Sequence, residues 1–424
     1  MIGLTAITSN LNWGKKYWGS IIENDAKGYY AYLPALFIYH DVNFGFFDHI
    51  ESEKYKEFHL FYDYRAQSNG KMVSKYYCGA AVAELPFFLA VHAITTLNGG
   101  DADGYSRLYP IAITIAALCY LLLGLIFLNL TLGLYQIQER IKVLVLIACA
   151  FGTNLFYYTV GEPGMSHVFS FAFISMFLYY AKKFFLYPDR IYITKLSILL
   201  GIIILIRPIN GLIILSLPFI AGSWLQLQQG LSALWSHKIR LLVAAISCLF
   251  IVSIQFIFYK VATGQFFIYS YGGEGFDFLN PHFFDILFSY KKGLFLYTPI
   301  YFVALTGLIF LWQSSKFQFF SWLAFFICIT YIFSSWWVWF YGGSFSSRVY
   351  VEYLPLFMIL LALSAQNAMN RLAKNSLVII VVLLIFICQI QTYQYRYYYI
   401  HWEDQTKEKY WAHFLRIDLL MKKK

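Results

Sequence analysis

The strongest constraint in this sequence is a repeated one. Apolar runs of roughly twenty residues recur along the chain, each bounded by a polar or Gly/Pro-containing break. They fall at 107–133, 142–160, 166–186, 195–209, 211–227, 240–260, 294–313, 317–336, 351–366 and 377–391. About twenty apolar residues in helical form cross the ~30 Å hydrocarbon core of a bilayer. Hydrocarbon cannot satisfy backbone N–H and C=O groups, so such runs must be helical. The expectation is therefore an all-α polytopic membrane protein with about ten transmembrane helices. Only 13% of the 424 residues are charged, against ~25% in soluble domains, so lipid must serve as much of the solvent.

The runs divide the chain. Residues 1–106 form a polar, aromatic leader, 107–391 the bundle, and 392–424 a polar tail. The bundle carries two further polar loops, at 261–293 and 337–350. The fourth and fifth runs are short and are separated by "RPIN", which reads as a broken helix pair or a shallow hairpin. Two leader segments, "YYAYLPALFIYH" (29–40) and "AAVAELPFFLAVHAITT" (80–96), read as interfacial helices. Glu84, Pro86 and His92 argue against a full crossing by the second. Charge then sets orientation. Arg140, Lys142, Arg190, Lys238, Arg240 and Arg371 gather at alternate loops, where the accompanying acids are only Glu139 and Asp189. Basic residues at span ends face the cytoplasm. The leader, the large loops and the tail then share the outer face.

Several classes of function are disfavoured. The net charge is +10, but no basic patch with a nucleic-acid motif accompanies it. The six cysteines form no CxxC pair, which indicates neither a disulfide framework nor a zinc site. GxGxxG, GxxxxGK[ST] and HExxH are absent, against a nucleotide-driven pump, a Rossmann enzyme or a zinc protease. A transporter would show broken helices in matching halves; a single break, "RPIN", is visible.

The outer-face polar residues form clusters. Glu23 and Asp25 lie two apart beside Lys27, on one face if the segment is extended. They read either as a general base near a desolvated pocket or as a solvated pair balanced by Lys27. Arg207 interrupts two apolar runs, where an arginine costs about 2.5–3.5 kcal/mol. It either faces a polar cavity or an anion, or snorkels to the interface. With Lys75, Lys292 and Arg348 it supplies the cations to hold a phosphate. The Lys291–Lys292 pair reads equally as a headgroup contact. Arg348 follows "YGG", whose glycines allow close backbone approach. Trp339 and Tyr341 belong to an aromatic run that serves as an interfacial belt or as a face for stacking a sugar. Glu162 and His167, in "GEPGMSH", read as partners of the acidic cluster, or with Asp25 as ligands to a divalent metal.

These motifs in this order resemble the C-type glycosyltransferase superfamily (GT-C), which includes protein O-mannosyltransferases and aminoarabinose transferases. The parts that carry the resemblance are "ENDAKGYYAYLPAL", "SKYY", "EPGMSH", "RPIN", "GLFLYTP" and "WFYGGSFSSR" before "YLP". The resemblance implies transfer of a sugar from a polyprenyl-phosphate donor to a glycan, lipid or protein acceptor, with inversion. The site would face outward from a bacterial cytoplasmic membrane. A glycan polymerase or ligase using lipid-linked oligosaccharide is the neighbouring reading. By motif position the resemblance gives the base role to Asp25, with Glu23 second. It gives the phosphate contacts to Arg348, Lys292, Arg207 and Lys75. Glu162, His167, Asn210, Trp339 and Tyr341 become the pocket wall. It does not decide metal dependence, and a divalent metal stays an alternative. It also implies a span ahead of the first outer loop, for which the residues before Glu23 are too few and too polar.

Overall fold

The computed structural model describes residues 1–14, 17–56 and 62–420. The parts of the leader at 15–16 and 57–61, and of the tail at 421–424, lie outside the described residues. The chain is predominantly helical, and its one described sheet is a hairpin pairing Arg65–Ser68 with Lys71–Ser74. Among the described residues, six helices are by length and composition long and apolar enough to cross a membrane: Gly79–Leu97, Leu108–Leu134, Ser166–Leu186, Lys238–Thr263, Lys316–Ser334 and Arg371–Arg396. The outward faces of these helices are apolar. Leu249 and Phe250 are 68% and 70% exposed, and Leu383 and Phe386 are comparably bare. Faces of this kind suit a hydrocarbon solvent.

The remaining runs are interrupted, each at an identifiable residue. The 142–160 run divides into Glu139–Phe151 and Leu155–Val160 around Gly152, where a Cβ would stand 2.1 Å from the Ile300 side chain. The "RPIN" run leaves helix Arg190–Ile206 and enters a 3-10 stretch, Pro208–Ser216, because Pro208 offers no N–H. A short helix, Leu217–Ala221, ends at Gly222 with φ of 95°, and Trp224–Ser236 follows. The 294–313 run breaks at Thr298 and Pro299 and again after Ala304. The 351–366 run is helical only from Leu354 to Gln366.

Side-chain contacts fix the relative directions. Tyr120 packs on Phe169 and Phe127 on Tyr179, with ring centres 5.1 and 5.4 Å apart, so Leu108–Leu134 and Ser166–Leu186 run parallel. Ser197 bonds the Ala244 carbonyl and Gly201 abuts Cys248 and Ile251, so Arg190–Ile206 and Lys238–Thr263 also run parallel.

The 80–96 segment is one helix, Gly79–Leu97, which by length and composition alone is also long enough to cross a membrane. Its neighbours pair His92, whereas both carboxyl oxygens of the buried Glu84 have no hydrogen-bond partner among the described residues. Gly79 presses on the Ile206 backbone, Tyr120 Oη donates to the Ala83 carbonyl at 3.1 Å, and His92 Nδ1 meets Tyr109 Oη at 2.6 Å. The helix thus starts where Arg190–Ile206 ends and runs back along the first half of Leu108–Leu134.

The leader docks on the same end. Its helices Asp25–Tyr30 and Tyr32–Phe37 are largely buried. Tyr32 Oη donates to the Tyr76 carbonyl at 2.7 Å and accepts from the buried Gln255 amide at 3.2 Å. Gln255 Oε1 in turn accepts the Cys78 N–H at 2.7 Å. A polar residue midway along an apolar helix is thereby satisfied by the leader.

Candidate functional site

At this end the chain encloses a cavity of about 1340 Å³. Its walls come from distant parts of the sequence: the leader, the turn at Glu162, Arg207 after its helix, the 268–276 and 336–349 loops, and the 395–402 arm. Of the residues marked in the sequence, Glu23, Asp25, Lys75, Glu162, Arg207, Tyr341 and Arg348 line it.

Asp25 and Arg348 meet directly. Arg348 Nη2 lies 2.8 Å from Asp25 Oδ2, and Tyr76 Oη donates to Oδ1 at 2.7 Å. Asp25 is placed there by Asn24, whose φ of 50° turns the chain into the first residue of a short helix. Burial alone would raise the Asp25 carboxyl; the Arg348 guanidinium and the Tyr76 hydroxyl outweigh it and hold it below the usual carboxylate range. Both oxygens of Asp25 are thus engaged.

Glu23 and Glu162 present the opposite electrostatics. Burial, reinforced by the charge of Glu162, pushes Glu23 up to about 8 against the pull of Lys27 and Arg396. Burial pushes Glu162 up to about 7, although Arg348 and the Tyr157 hydroxyl, at 3.1 Å from Oε1, pull it down.

Arg207 is held from behind. Its Nη1 donates to Glu352 Oε1 at 2.8 Å, and His167 Nδ1 lies 3.0 Å from the same oxygen. Glu352 is fully buried, and His167 nearly so, whereas the Arg207 side chain keeps 18% exposure toward the cavity. Burial would raise the Glu352 carboxyl, and the adjoining His167 and Arg207 reverse that and hold it low.

The other marked residues sit elsewhere or are engaged. Lys75 lines the cavity paired to Glu274. Lys292 does not line it. This lysine is buried, donates to the Ser344 carbonyl and lies over the Tyr395 ring at 5.0 Å, and burial pushes its ammonium well below the usual range. Asn210 donates to Ser170 Oγ at 3.1 Å behind the wall. Trp339 stacks on His282, outside the lining, while Trp336 and Trp337 face inward. Among the described residues no group of three or more His, Cys, Asp or Glu side chains is disposed to hold a metal ion, and His167 is turned to Glu352 rather than Asp25.

Several contributors were missed in the sequence. Glu352 carried a signal, as an acid four residues after Arg348 in an otherwise apolar stretch. Tyr76 and Glu274 carried none that separates them from neighbouring tyrosines and acids. Arg396 and Trp402 line the cavity from the tail. The chain matches no family model, no curated protein and no solved structure.

Proposed function

We propose that the chain is an integral-membrane glycosyltransferase, moving a sugar from a polyprenyl-phosphate donor to an acceptor on the outer face of the cytoplasmic membrane. The observation that carries this reading is the meeting of an acid from the leader with an arginine from the last large loop, Asp25 with Arg348, inside one large cavity. The parallel pairs support a return crossing within each pair. A chain that runs down Leu108–Leu134 and down Ser166–Leu186 must return between them, and the same holds between Arg190–Ile206 and Lys238–Thr263. The cavity then lies at the ends remote from Arg140, Arg190, Lys238 and Arg371, in keeping with an outward-facing site.

The chemistry follows from the charges. In a direct displacement, an acceptor hydroxyl attacks the anomeric carbon, the phosphate leaves from the opposite face, and the centre inverts. Negative charge grows on the departing phosphate oxygen. Arg348 and Arg207 already point at the cavity, held by Asp25 and Glu352, so they need little reorganisation to meet it. The volume exceeds the ~300–1,000 Å³ of pockets for a single small ligand, which suits a donor and an acceptor bound together.

Native mass spectrometry of the protein with undecaprenyl phosphate tests this. Wild type should retain the lipid, and Arg348→Lys, which keeps charge but loses the fork, should weaken it about tenfold or more, the worth of one charge-assisted hydrogen bond. Absence of lipid binding to wild type would sink the reading.

A further inference from the structure

Four carboxyls line the cavity; Glu274 is paired with Lys75, and the surroundings of the other three sort them into two kinds. Asp25 has neither oxygen to spare: Oδ2 is paired with Arg348 at 2.8 Å and Oδ1 accepts the Tyr76 hydroxyl at 2.7 Å. A carboxylate stabilised in this way is a weak base. The Glu23 carboxyl lines the same cavity with no hydrogen bond or ion pair to a described residue, and among the described residues the Glu162 carboxyl is bonded only through Oε1, to Tyr157. Each feels the other's field or its neighbours' across the cavity wall. Lys27 and Arg396 face Glu23; Arg348, Asp25, Lys292 and the hydroxyls of Tyr157, Tyr158 and Tyr395 face Glu162.

We infer that the Glu23–Glu162 carboxyl pair, rather than Asp25, receives the proton of the attacking hydroxyl, while Asp25 serves as the fixed counter-ion of Arg348. This rests on the reading of the cavity as a sugar-transfer site. In the step, the acceptor oxygen bonds the anomeric carbon. The bond from that carbon to the phosphate oxygen breaks with its electron pair, leaving polyprenyl phosphate. The hydroxyl proton passes to a carboxylate of the pair. Two carboxyls that share a buried wall resist double ionisation, so near neutral pH the pair holds about one proton and can take another. Glu23 at about 8 and Glu162 at about 7 are matched to that task, since the best proton acceptor has an affinity close to the working pH.

Dicyclohexylcarbodiimide, which modifies protonated carboxyls in apolar surroundings, reads the pair without knowledge of the sugar. In the full chain in lipid nanodiscs at pH 7, peptide mass spectrometry should find the label on Glu23 or Glu162 and not on Asp25. Labelling should fade between pH 7 and 9, and in Glu162→Gln the fading at Glu23 should move to lower pH. An unlabelled pair at pH 7, or a labelled Asp25, overturns the inference. Turnover of a panel of undecaprenyl-phosphate monosaccharides separates the two levels of the argument. The double variant Glu23→Gln/Glu162→Gln should lose about a hundredfold or more of kcat while still binding undecaprenyl phosphate. If wild type turns over and the double variant equals it, the pair alone is refuted. If wild type uses no donor of this class, the sugar-transfer reading falls and the inference with it.

Discussion

Replacing Glu352 by glutamine isolates the buried triad behind the cavity. Glutamine preserves shape and removes one charge. Oε1 of Glu352 is shared by Arg207 at 2.8 Å and His167 at 3.0 Å, and the carboxylate has no exposure. Breaking a buried ion pair by removing one partner costs about 3–5 kcal/mol, because the other charge is left uncompensated. Arg207 retains 18% side-chain exposure, so its guanidinium can rehydrate toward the cavity and the loss belongs at the low end, about 3 kcal/mol. For 424 residues the unfolding entropy is about 0.9 kcal/mol/K, which converts that loss to a fall of about 3 °C in Tm, and to more if a smaller unit unfolds.

The pH dependence adds a second readout. The folded Glu352 carboxyl lies below its ordinary value, so its stabilisation is fully present above about pH 4.5 and is lost as pH falls through the folded value. The gap between wild type and variant should be complete at pH 7 and should narrow on acidification below pH 4.5. A double-mutant cycle with Arg207→Gln, followed by thermal unfolding in nanodiscs, should give a coupling of about 1.5–3 kcal/mol. A coupling under about 0.5 kcal/mol, or a gap that is as wide at pH 3 as at pH 7, would refute the claim that Glu352 holds Arg207 by charge.

Other perturbations probe the frame around the site. Gly124→Val should destabilise by about 1–3 kcal/mol in the same unfolding assay, because even a Cβ would stand 2.4 Å from the Phe171 ring and 3.2 Å from the Ala172 Cα. Asn12→Ala removes a donor to the Val160 carbonyl at 2.6 Å and an acceptor for Arg396 at 3.0 Å, and should cost about 1–3 kcal/mol. Hydrogen exchange should then rise in Ile2–Asn12 and near Arg396 together. Single cysteines placed at Asn69 and Lys407, in a background lacking the six native cysteines, should react with an impermeant maleimide from outside intact cells. Labelling of either only after permeabilisation would reverse the orientation.

The apolar runs made the helical class legible because span length is a property of the sequence itself. The interruptions were less so. Gly152 lies at a break and admits no side chain because Ile300 occupies the space of its Cβ, and nothing near Gly152 in the sequence announces Ile300. Pro208 and Pro299, in contrast, carry their own reason and fall at breaks. At the site, the types of residue were readable and their pairings were not. Lys292 looked like one half of a free basic pair until Ser344 and Tyr395 closed over it. Glu352 was passed over for the converse reason, since an isolated acid in an apolar stretch gains meaning only from Arg207 and His167.

The tail shows why pairing rather than residue type sets the limit. Its sequence reads only as a polar tail, yet Tyr395, Arg396 and Trp402 form part of the cavity wall. Arg396 is fixed there by the Leu11 carbonyl and by Asn12, at the other end of the chain. Trp411 donates to Tyr290 at 3.3 Å, and Tyr410 packs on Tyr297, tying the tail to the start of the broken run and the loop before it. Each wall is therefore anchored by an element that is remote in sequence. No subset of consecutive residues contains an acid together with the arginine that balances it in the cavity. The electrostatic character of Asp25, Glu23 and Glu162 is then a product of the completed bundle, in which Arg348 pairs directly with Asp25 while burial outweighs the nearby cations at the other two.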